Sequence, residues 1–585
     1  MAFPGGAQIA VIRHGPNVPL PAMQLDFLNN TSLNSRVTFS RGTNATLVDS
    51  TGKITYAPAN LLVRSEEFDN AVWAKAGVAV TANAEVAPDG TTTADRIVSS
   101  GGSFPQLAQS ASVPAGNFVF SIWVKSDGTS QIAQAIIFDG VTVAFTPTET
   151  WQRISGLKTN STGGSKSLVI ATNSGSAPAS SYLVWGAQLE AVTYQTTPGT
   201  YNATTASAYY GPRFDYDPVT LAPRGLLIEE ARTNLLTYSE QFDNAAWTKS
   251  ATTITPNATI SPAGTNNAAL AVPSATVANH DIAQVVTAAA VSYTLSVYAK
   301  AQSYNFLLLL YFDGVSDRSA YFNLSTGTIG STATLTTPTI TAVGNGWYRC
   351  AITFTGVVGR NNFVIGPAPS DGGRAVAGNG TSGIYIWGAD LEAGAFATSY
   401  IPTVASTVSR SADVATMTGT NFSTWYNQAA GTFVVGMDTL YSNAADSATI
   451  RAVFTADDGT LNNLHRIYQY QNRYGANTVV GGANQSDISI GVIAANTPAT
   501  AAYAYAVNDF APAMNGILGT PDTSGTLPTP TQLSFGARWA VNGHIRALAY
   551  YNTRLPNTSL QTLTAPSLAA PLTLDFLSTT YTVGY

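Results

Sequence analysis

A sixteen-residue segment that occurs twice constrains this chain more than any other feature. The first copy, NLLVRSEEFDNAVWAK, spans Asn60–Lys75, and the second, NLLTYSEQFDNAAWTK, spans Asn234–Lys249. The second copy begins 174 residues after the first, and eleven of its sixteen positions are identical. Because a duplicated segment marks a duplicated structural unit, the sequence predicts two copies of one fold in tandem.

Later segments of the two units also match, and two pairs carry tryptophan. The pairs are FSIWVKS (Phe120–Ser126) with LSVYAKA (Leu295–Ala301), TWQRIS (Thr150–Ser155) with GWYRCA (Gly346–Ala351), and VWGAQLEA (Val184–Ala191) with IWGADLEA (Ile386–Ala393). The last pair is offset by 202 residues, so the second unit holds 28 additional residues. We expect these residues in loops, where insertions are tolerated best.

Composition limits the class of protein. Charged residues make up 10% of the chain, against roughly 25% in ordinary soluble domains. A surface rich in Thr, Ser, Asn, Gln and Gly suits an extracellular β-protein. The net charge of −6 without a basic run argues against nucleic acid as a partner. Cys350 is the single cysteine, which excludes an intrachain disulfide framework, and its strand pattern WYRCAITF predicts a small buried side chain.

No segment indicates export or membrane insertion. The first residues, MAFPGGAQIAVIRHGPNVPLP, lack the apolar centre of a signal peptide. The longest apolar run, FLLLLYF (Phe306–Phe312), is far shorter than the about 20 residues needed to cross a bilayer. An extracellular type of surface without an export signal suggests a protein that is released by lysis, such as a virion component made in the host cytoplasm.

The pattern of short alternating strands and Gly, Asn, Pro and Asp turns predicts an all-β chain. We divide it as follows: an N-terminal attachment arm (1–59), jelly-roll β-sandwich 1 (60–198), a connector (199–233), jelly-roll β-sandwich 2 (234–403), a linker (404–430), a third β-sandwich with a short terminal helix (431–570) and a C-terminal strand tail (571–585). The arm has little core of its own. It either docks on a larger particle or is disordered or packed on its own chain.

The connector contains an acidic pair, Glu229 and Glu230. The two could be taken for catalytic carboxylates, but adjacent residues of a strand point to opposite faces, which favours a structural role. We expect ion pairs with Arg232 or Arg224 at a domain joint.

The arm and the stretch PRFDYDPVTLAPRGLLIEEARTNLLTYSEQFDNAAWTK resemble the head-spike and tail-fibre proteins of proteobacterial phages and of gene transfer agents. The resemblance covers Asp26 to about Pro402. The duplicated units resemble carbohydrate-binding-module jelly rolls. The third domain, which closes with GHIRALAYYNTRLPNTSLQTLTA, resembles laminin-G and concanavalin-like sandwiches. The resemblance implies a virion surface protein, head spike or tail fibre, that contacts a host cell-surface glycan.

Saccharides bind proteins through aromatic rings that pack on their C–H faces and through polar side chains that bond their hydroxyls. In strand and turn contexts of the third domain, the candidates are Arg466, Tyr468, Tyr470, Trp539, Asn542 and His544. The alternative is that these side chains fill the sandwich core. Four tryptophans repeat in both units, which favours a shared core for them: Trp73, Trp185, Trp247 and Trp387.

A structural Ca²⁺ is a second hypothesis, because jelly rolls often hold one through carboxylate oxygens. The box retains Glu66 and Asp69 in the first unit and Glu240 and Asp243 in the second, at equal spacing. The alternative is that these acids cap turns. Beyond this possible calcium ion, we expect no cofactor.

Catalytic motifs are missing from the sequence: there is no HExxH, GxSxG or GxxxxGK pattern. We therefore expect a protein that is not an enzyme: a homo-oligomeric fibre or spike, bound to other virion proteins through its arm, that adheres to host polysaccharide. The alternatives are a tailspike enzyme that cleaves capsular polysaccharide and a purely architectural spacer.

Overall fold

The fold consists almost entirely of β-strands, as the alternating sequence pattern predicts. The computed structural model describes residues 18–129, 132–172, 179–440, 450–471, 473–538 and 540–566. The predicted strand tail, 571–585, lies outside these residues. The strands of the arm are β1 (Met23–Asp26), β2 (Thr38–Ser40), β3 (Thr46–Val48), β4 (Ile54–Tyr56) and β5 (Ala59–Asn60).

Unit 1 is a sandwich of two five-stranded antiparallel sheets, with strand orders β13-β10-β15-β8-β7 and β12-β11-β14-β9-β6. In β10, Phe118, Phe120 and Ile122 alternate into the core between the sheets, while the residues between them point outward. This confirms a jelly-roll-like sandwich. Its strands are β6 (Ala74–Ala76), β7 (Val78–Glu85), β8 (Ala94–Ser99), β9 (Gln106–Val113), β10 (Gly116–Ser126), β11 (Gln134–Phe138), β12 (Val141–Phe145), β13 (Gln152–Ser161), β14 (Gly164–Thr172) and β15 (Ser180–Val192).

Unit 2 repeats this arrangement in two six-stranded sheets, with orders β28-β29-β24-β31-β22-β21 and β27-β26-β25-β30-β23-β20. The connector before it holds β16 (Tyr209–Tyr210), β17 (Phe214–Tyr216), β18 (Pro223–Ile228) and β19 (Arg232–Asn234). The strands of unit 2 are β20 (Thr248–Ser250), β21 (Thr252–Thr259), β22 (Ala268–Pro273), β23 (Asp281–Ala288), β24 (Ser292–Ala301), β25 (Phe306–Phe312), β26 (Asp317–Asn323), β27 (Thr328–Thr332), β28 (Thr337–Ala342), β29 (Trp347–Thr355), β30 (Gly359–Ala368) and β31 (Ile384–Ala393).

The additional residues of unit 2 form strands as well as loops, which corrects the expectation that they lie in loops alone. β27 pairs with β26, and β28 pairs with β29, so each sheet gains one strand at its edge. Both segments are rich in β-branched Thr and Ile, which favour strands.

The third sandwich has one seven-stranded and one eight-stranded sheet. This confirms a third β-sandwich, and the short terminal helix is present as predicted. Its elements are β32 (Val408–Arg410), β33 (Val414–Thr418), α1 (Thr420–Ser423), β34 (Ala430–Thr439), β35 (Arg451–Asp457), β36 (Leu464–Tyr470), β37 (Arg473–Val480), β38 (Ala483–Gly491), β39 (Ala499–Ala506), β40 (Asp509–Met514), β41 (Ile517–Leu518), β42 (Gln532–Phe535), β43 (Gly543–Tyr551) and α2 (Asn557–Thr564). In the part of the chain that the structure describes, no helix combines the length and hydropathy of a membrane span.

The third sandwich is not built from residues 431–570 alone. β1 and β18 of the arm and connector both pair with β43, and β2 pairs with β33. Leu25, Phe27 and Leu226 lie in its core. Over residues 18–59 the arm is therefore packed on its own chain, which is one of the alternatives given for it above.

A buried ionic cluster ties arm, connector and third sandwich together. Arg213 Nη1 lies 2.7 Å from Glu229 Oε2, and Arg410 Nη1 lies 2.8 Å from the same oxygen. Arg41 Nη1 lies 2.9 Å from Asp413 Oδ1, and Arg213 contacts the other oxygen of Asp413. Burial by itself would raise the pKa of Glu229, but Arg410 and Arg213 lower this pKa far below its ordinary value.

The acidic pair of the connector thus acts at a joint, as predicted. Glu230 pairs with Arg232, the expected partner, and also with Arg451. Glu229 pairs with Arg213 and Arg410 instead of Arg224.

Candidate functional site: an aromatic face on unit 1

The duplicated box forms the same structure in both units. The Phe68 and Trp73 ring centroids are 4.9 Å apart, and those of Phe242 and Trp247 are 5.1 Å apart. Both tryptophans are 1% exposed and lie in the cores between the sheets. The prediction of a shared core is confirmed for Trp73 and Trp247.

The four acids of the box bond tyrosine hydroxyls or lie at turns. Glu66 and Glu240 accept hydrogen bonds of 3.1 Å from the hydroxyls of Tyr201 and Tyr400, respectively. Asp69 and Asp243 are exposed at turns. Among the described residues, no group of three or more His, Cys, Asp or Glu side chains is placed to hold a metal ion. The hypothesis of a structural Ca²⁺ held by these residues is therefore not supported.

The other repeated tryptophans lie on the opposite side of their sheet. Trp185 of β15 is opposite Trp123 of β10, and both point away from the core between the sheets. The ring centroid of Tyr201 is 4.6 Å from that of Trp185. Trp185 and its counterpart Trp387 are buried in equivalent clusters, so the prediction of a shared core is confirmed for them as well. This core lies outside the space between the sheets, because the strand alternation directs both side chains outward.

We call the group of Trp123, Trp151, Trp185 and Tyr201 the aromatic face of unit 1. Hydrogen bonds fix two of its rings: the Trp151 indole donates to the Val86 carbonyl (3.1 Å), and the Trp185 indole donates to Thr93 Oγ1 (3.0 Å). Trp123, Trp151 and Tyr201 are partly exposed, whereas Trp185 is 4% exposed and forms the floor.

A glycine allows the rings to lie close together. Gly186 has a φ of 63°, in the left-handed region, and forms a bulge next to Trp123. A Cβ atom at this position would lie 3.2 Å from both the Trp123 and the Tyr201 rings. Because Gly186 has no side chain, its backbone can pack directly against the two rings.

Polar groups border the aromatic face. Arg153 Nη1 donates to the Gly199 carbonyl at 2.6 Å, and its guanidinium carbon lies 6.0 Å from the Trp123 ring centroid. Glu190 Oε2 accepts from the Gly199 amide at 3.1 Å, and burial raises the pKa of its carboxyl group. Among the described residues, the buried Trp123 indole nitrogen has no hydrogen-bond partner. The face therefore combines ring surfaces with donors and acceptors.

Unit 2 carries the equivalent rings, but they are sealed. Tyr298, Trp347, Trp387 and Tyr400 are each at most 4% exposed. The β3–β4 hairpin of the arm covers them, and Ile54 packs among them. The Ile54 amide donates to the Pro262 carbonyl at 3.0 Å. The two faces thus differ in access, although their residue types are nearly the same.

The third sandwich holds the residues predicted to bind saccharide, and the structure separates them. Arg466 and Tyr468 share one face of β36, with the Arg466 guanidinium carbon 5.1 Å from the Tyr468 ring. Both are buried, and the Tyr468 hydroxyl donates to Asp487. Tyr470 is partly exposed at the strand end. Trp539 lies outside the described residues.

Asn542 and His544 are completely buried at the joint with the connector. His544 Nδ1 lies 2.6 Å from Asp438 Oδ1, and Nε2 lies 2.8 Å from Asp215 Oδ2. Asn542 Oδ1 accepts from the Glu230 amide at 2.8 Å. These two side chains hold the connector and cannot contact a saccharide at the surface, which corrects their prediction as binding residues.

The sequence analysis missed Trp123, Trp151 and Tyr201. A signal was present: in FSIWVKS the tryptophan occupies an outward position between apolar core positions, and a large ring directed outward needs either a cover or a ligand. The single cysteine behaves as predicted, since Cys350 is fully buried and burial raises the pKa of its thiol.

Comparisons with known proteins give structural likeness only. No known protein family and no curated protein matches the chain. Three solved structures with which it can be aligned are the NanB sialidase from Streptococcus pneumoniae (16% identity, 28% of this chain and 27% of that chain, TM-score 0.22), the CBM22-1-CBM22-2 tandem domain of Paenibacillus barcinonensis Xyn10C (14%, 58% and 98%, 0.19) and mouse laminin alpha1 chain domains LG4-5 (8%, 47% and 85%, 0.16). The TM-scores are too low to carry an argument about function.

Proposed function

We propose that the protein is a glycan-binding adhesin and that the aromatic face of unit 1 is its contact surface. The observation that carries the proposal is the difference in access between the two units. Trp123, Trp151 and Tyr201 are partly exposed, whereas their equivalents in unit 2 are sealed by the arm. Exposed rings beside polar groups match the two needs of saccharide binding, which are a C–H stacking surface and hydroxyl partners.

The finer part of the proposal is the setting. The resemblance of the arm, connector and box to phage and gene-transfer-agent spike proteins supports a place on a virion surface, as a head or tail fibre that adheres to host polysaccharide. In a symmetric homo-oligomer, weak sites repeated on several chains raise the overall avidity by orders of magnitude. The protein acts by adhesion and is not an enzyme.

The first experiment measures binding of the full chain to immobilised host surface polysaccharide. The double variant Trp123→Ala/Trp151→Ala removes two partly exposed rings and leaves the core between the sheets intact. We expect an affinity loss of about tenfold or more, which corresponds to about 1.4 kcal/mol. Val285→Ala serves as the control. Val285 is 48% exposed on β23, in the sheet of unit 2 that does not carry the sealed rings.

Three results would contradict the proposal. Equal binding of the double variant and the control would show that the aromatic face is not part of the contact surface. Release of new reducing ends from the polysaccharide would identify the protein as a depolymerase, and retention without cleavage supports adhesion. A full chain that shows no retention at all would be a spacer.

A further inference from the structure

A cleft of about 690 Å³ lies beside the sealed face of unit 2, between this unit, the connector and the third sandwich. Its volume is in the range of small-molecule sites, which often lie at domain interfaces. We call the part formed by β24 and β29 its floor, and β28 forms one side. The arm hairpin, the connector, residues 395–400 and residues 495–496 also line the cleft.

The floor and the β28 side form three rows of outward-facing residues across neighbouring strands. The strand registers place Thr353 between Thr294 and Thr337, Ala351 between Ser296 and Thr339, and Arg349 between Tyr298 and Thr341. Thr337, Thr339 and Thr341 are exposed, whereas Thr294 and Tyr298 lie buried on the floor. The cleft therefore offers the three exposed threonine hydroxyls of β28 beside apolar side chains such as Leu47, Ile340 and Phe396.

β28 has no counterpart in unit 1, where β13 is the edge strand at this position. The additional residues of unit 2 thus build one side of the cleft. Unit 1 consequently lacks the row of three exposed threonines, and the cleft is specific to unit 2.

The ionic groups that line the cleft already have partners. Arg349 Nη2 donates to Ser296 Oγ at 3.0 Å, and Arg224 Nη2 donates to Asn496 Oδ1 at 3.0 Å. Asp215 accepts from His544 and from the Val48 amide. The floor hydroxyls are bonded as well, since Thr294 Oγ1 and Thr353 Oγ1 lie 2.8 Å apart. The groups left for a ligand include the exposed hydroxyls of Thr337, Thr339 and Thr341, each of which can donate one hydrogen bond and accept others.

We infer that this cleft is a second saccharide-binding site, which takes a segment of a neutral oligosaccharide. The exposed threonine hydroxyls can bond the hydroxyls of a sugar, and the apolar side chains can pack on its C–H faces. Among the described residues that line the cleft, the paired charges give an anionic ligand no free cation. The inference rests on the proposed function for the class of ligand only, because the site is separate from the aromatic face of unit 1.

Native mass spectrometry of the full chain counts bound oligosaccharides. The probes are cellohexaose, maltohexaose and chitohexaose, with hexagalacturonate as the anionic comparison. Thr339→Trp places an indole in the cleft from an exposed strand position. Thr332→Trp on β27 is the matched control, because Thr332 is also exposed and does not line the cleft. A third protein carries Trp123→Ala/Trp151→Ala.

We expect at least one neutral probe to bind at two sites. Thr339→Trp should remove one bound copy and Thr332→Trp none, while the unit 1 double variant should remove the other copy. A single bound copy that only the unit 1 variant removes would overturn the cleft site and leave the proposed function in place. A single copy that only Thr339→Trp removes would support the cleft and overturn the unit 1 face. Binding of no neutral probe would overturn both.

Discussion

The two duplicated sandwiches share a box, a core and a strand order, but they differ in what lies over one face. In unit 1, Trp151 is partly exposed. Its equivalent in unit 2, Trp347, is 2% exposed beneath a hairpin that comes from residues 46–56. The difference shows that the access of a face can be set by a distant segment of the chain, even where the face itself is nearly unchanged.

The largest expected effect is a difference in unfolding free energy between alanine variants of Trp347 and Trp151. Trp347→Ala should destabilise unit 2 by about 3–5 kcal/mol, because it opens a cavity in a sealed cluster. Trp151→Ala should cost about 1–2 kcal/mol, since part of its ring is already in water. Hydrogen exchange read by mass spectrometry along a urea series would assign each loss to its unit. Equal losses of stability in the two units would show that the hairpin does not shield Trp347 from water.

The second effect is the pH dependence of stability that comes from Glu240, whose equivalent in unit 1 is Glu66. Burial raises the pKa of Glu240 to about 7, although hydrogen bonds from Tyr400 and Asn267 oppose this shift. The folded state then binds a proton more tightly than the unfolded state, so stability falls as pH rises from about 4.5 to about 7. Glu240→Gln, which resembles the protonated acid, should stabilise unit 2 by about 2–3 kcal/mol at pH 8 and by little at pH 4.

The control for this pH dependence is Glu66→Gln in unit 1. Burial raises the pKa of Glu66 as well, but this carboxyl group lies under no hairpin. Urea midpoints measured between pH 4 and pH 8 should therefore change less for Glu66→Gln than for Glu240→Gln. The reverse order would show that the hairpin does not desolvate Glu240.

A third, smaller effect concerns the hairpin itself. Ile54 is 6% exposed and packs against the rings of unit 2. Ile54→Ala should cost about 2 kcal/mol, the lower end for such a truncation, because the hairpin is only two strands wide. Residues 193–195 of unit 1 also bond the hairpin. Faster amide exchange in residues 46–56, with unchanged exchange in the rest of unit 1, would confirm that the loss is local to the seal.

The smallest expected effect concerns the lysine at the end of each box, which makes matching contacts in the two units. Lys75 Nζ donates to the Asp69, Asn70 and Trp73 carbonyls, and Lys249 Nζ donates to the matching carbonyls of Asp243 and Asn244. Lys75→Met and Lys249→Met should each cost about 1 kcal/mol. A clear difference between them in thermal unfolding would mean that the box is not equivalent in the two units.

Much of the architecture could be predicted because it depends on local patterns. The repeated box identified the duplication, and the alternation in segments such as FVFSIWVKS identified the strands of both units. Trp73 and Trp247 were assigned to the core correctly, since their repetition reflects the same packing against Phe68 and Phe242.

The contacts between distant segments could not be predicted in this way. Nothing near Met23 in the sequence indicates that its strand pairs with β43, because strand pairing over such a distance leaves no local pattern. The same limit applies to the site. His544 follows a turn and reads as a surface residue, but Asp215 and Asp438 enclose it only after the connector has joined the third sandwich.

The pairing of β1 with β43 joins two strands that are more than 500 residues apart in the sequence, since Met23 lies opposite Tyr550. Units 1 and 2 draw their strands from continuous stretches, so each can fold soon after it leaves the ribosome. The third sandwich must wait, with β2 unpaired until β33 has been made and β1 unpaired until β43 has been made. A ribosome that stops before residue 543 would therefore release two finished sandwiches and a set of open strand edges prone to aggregation.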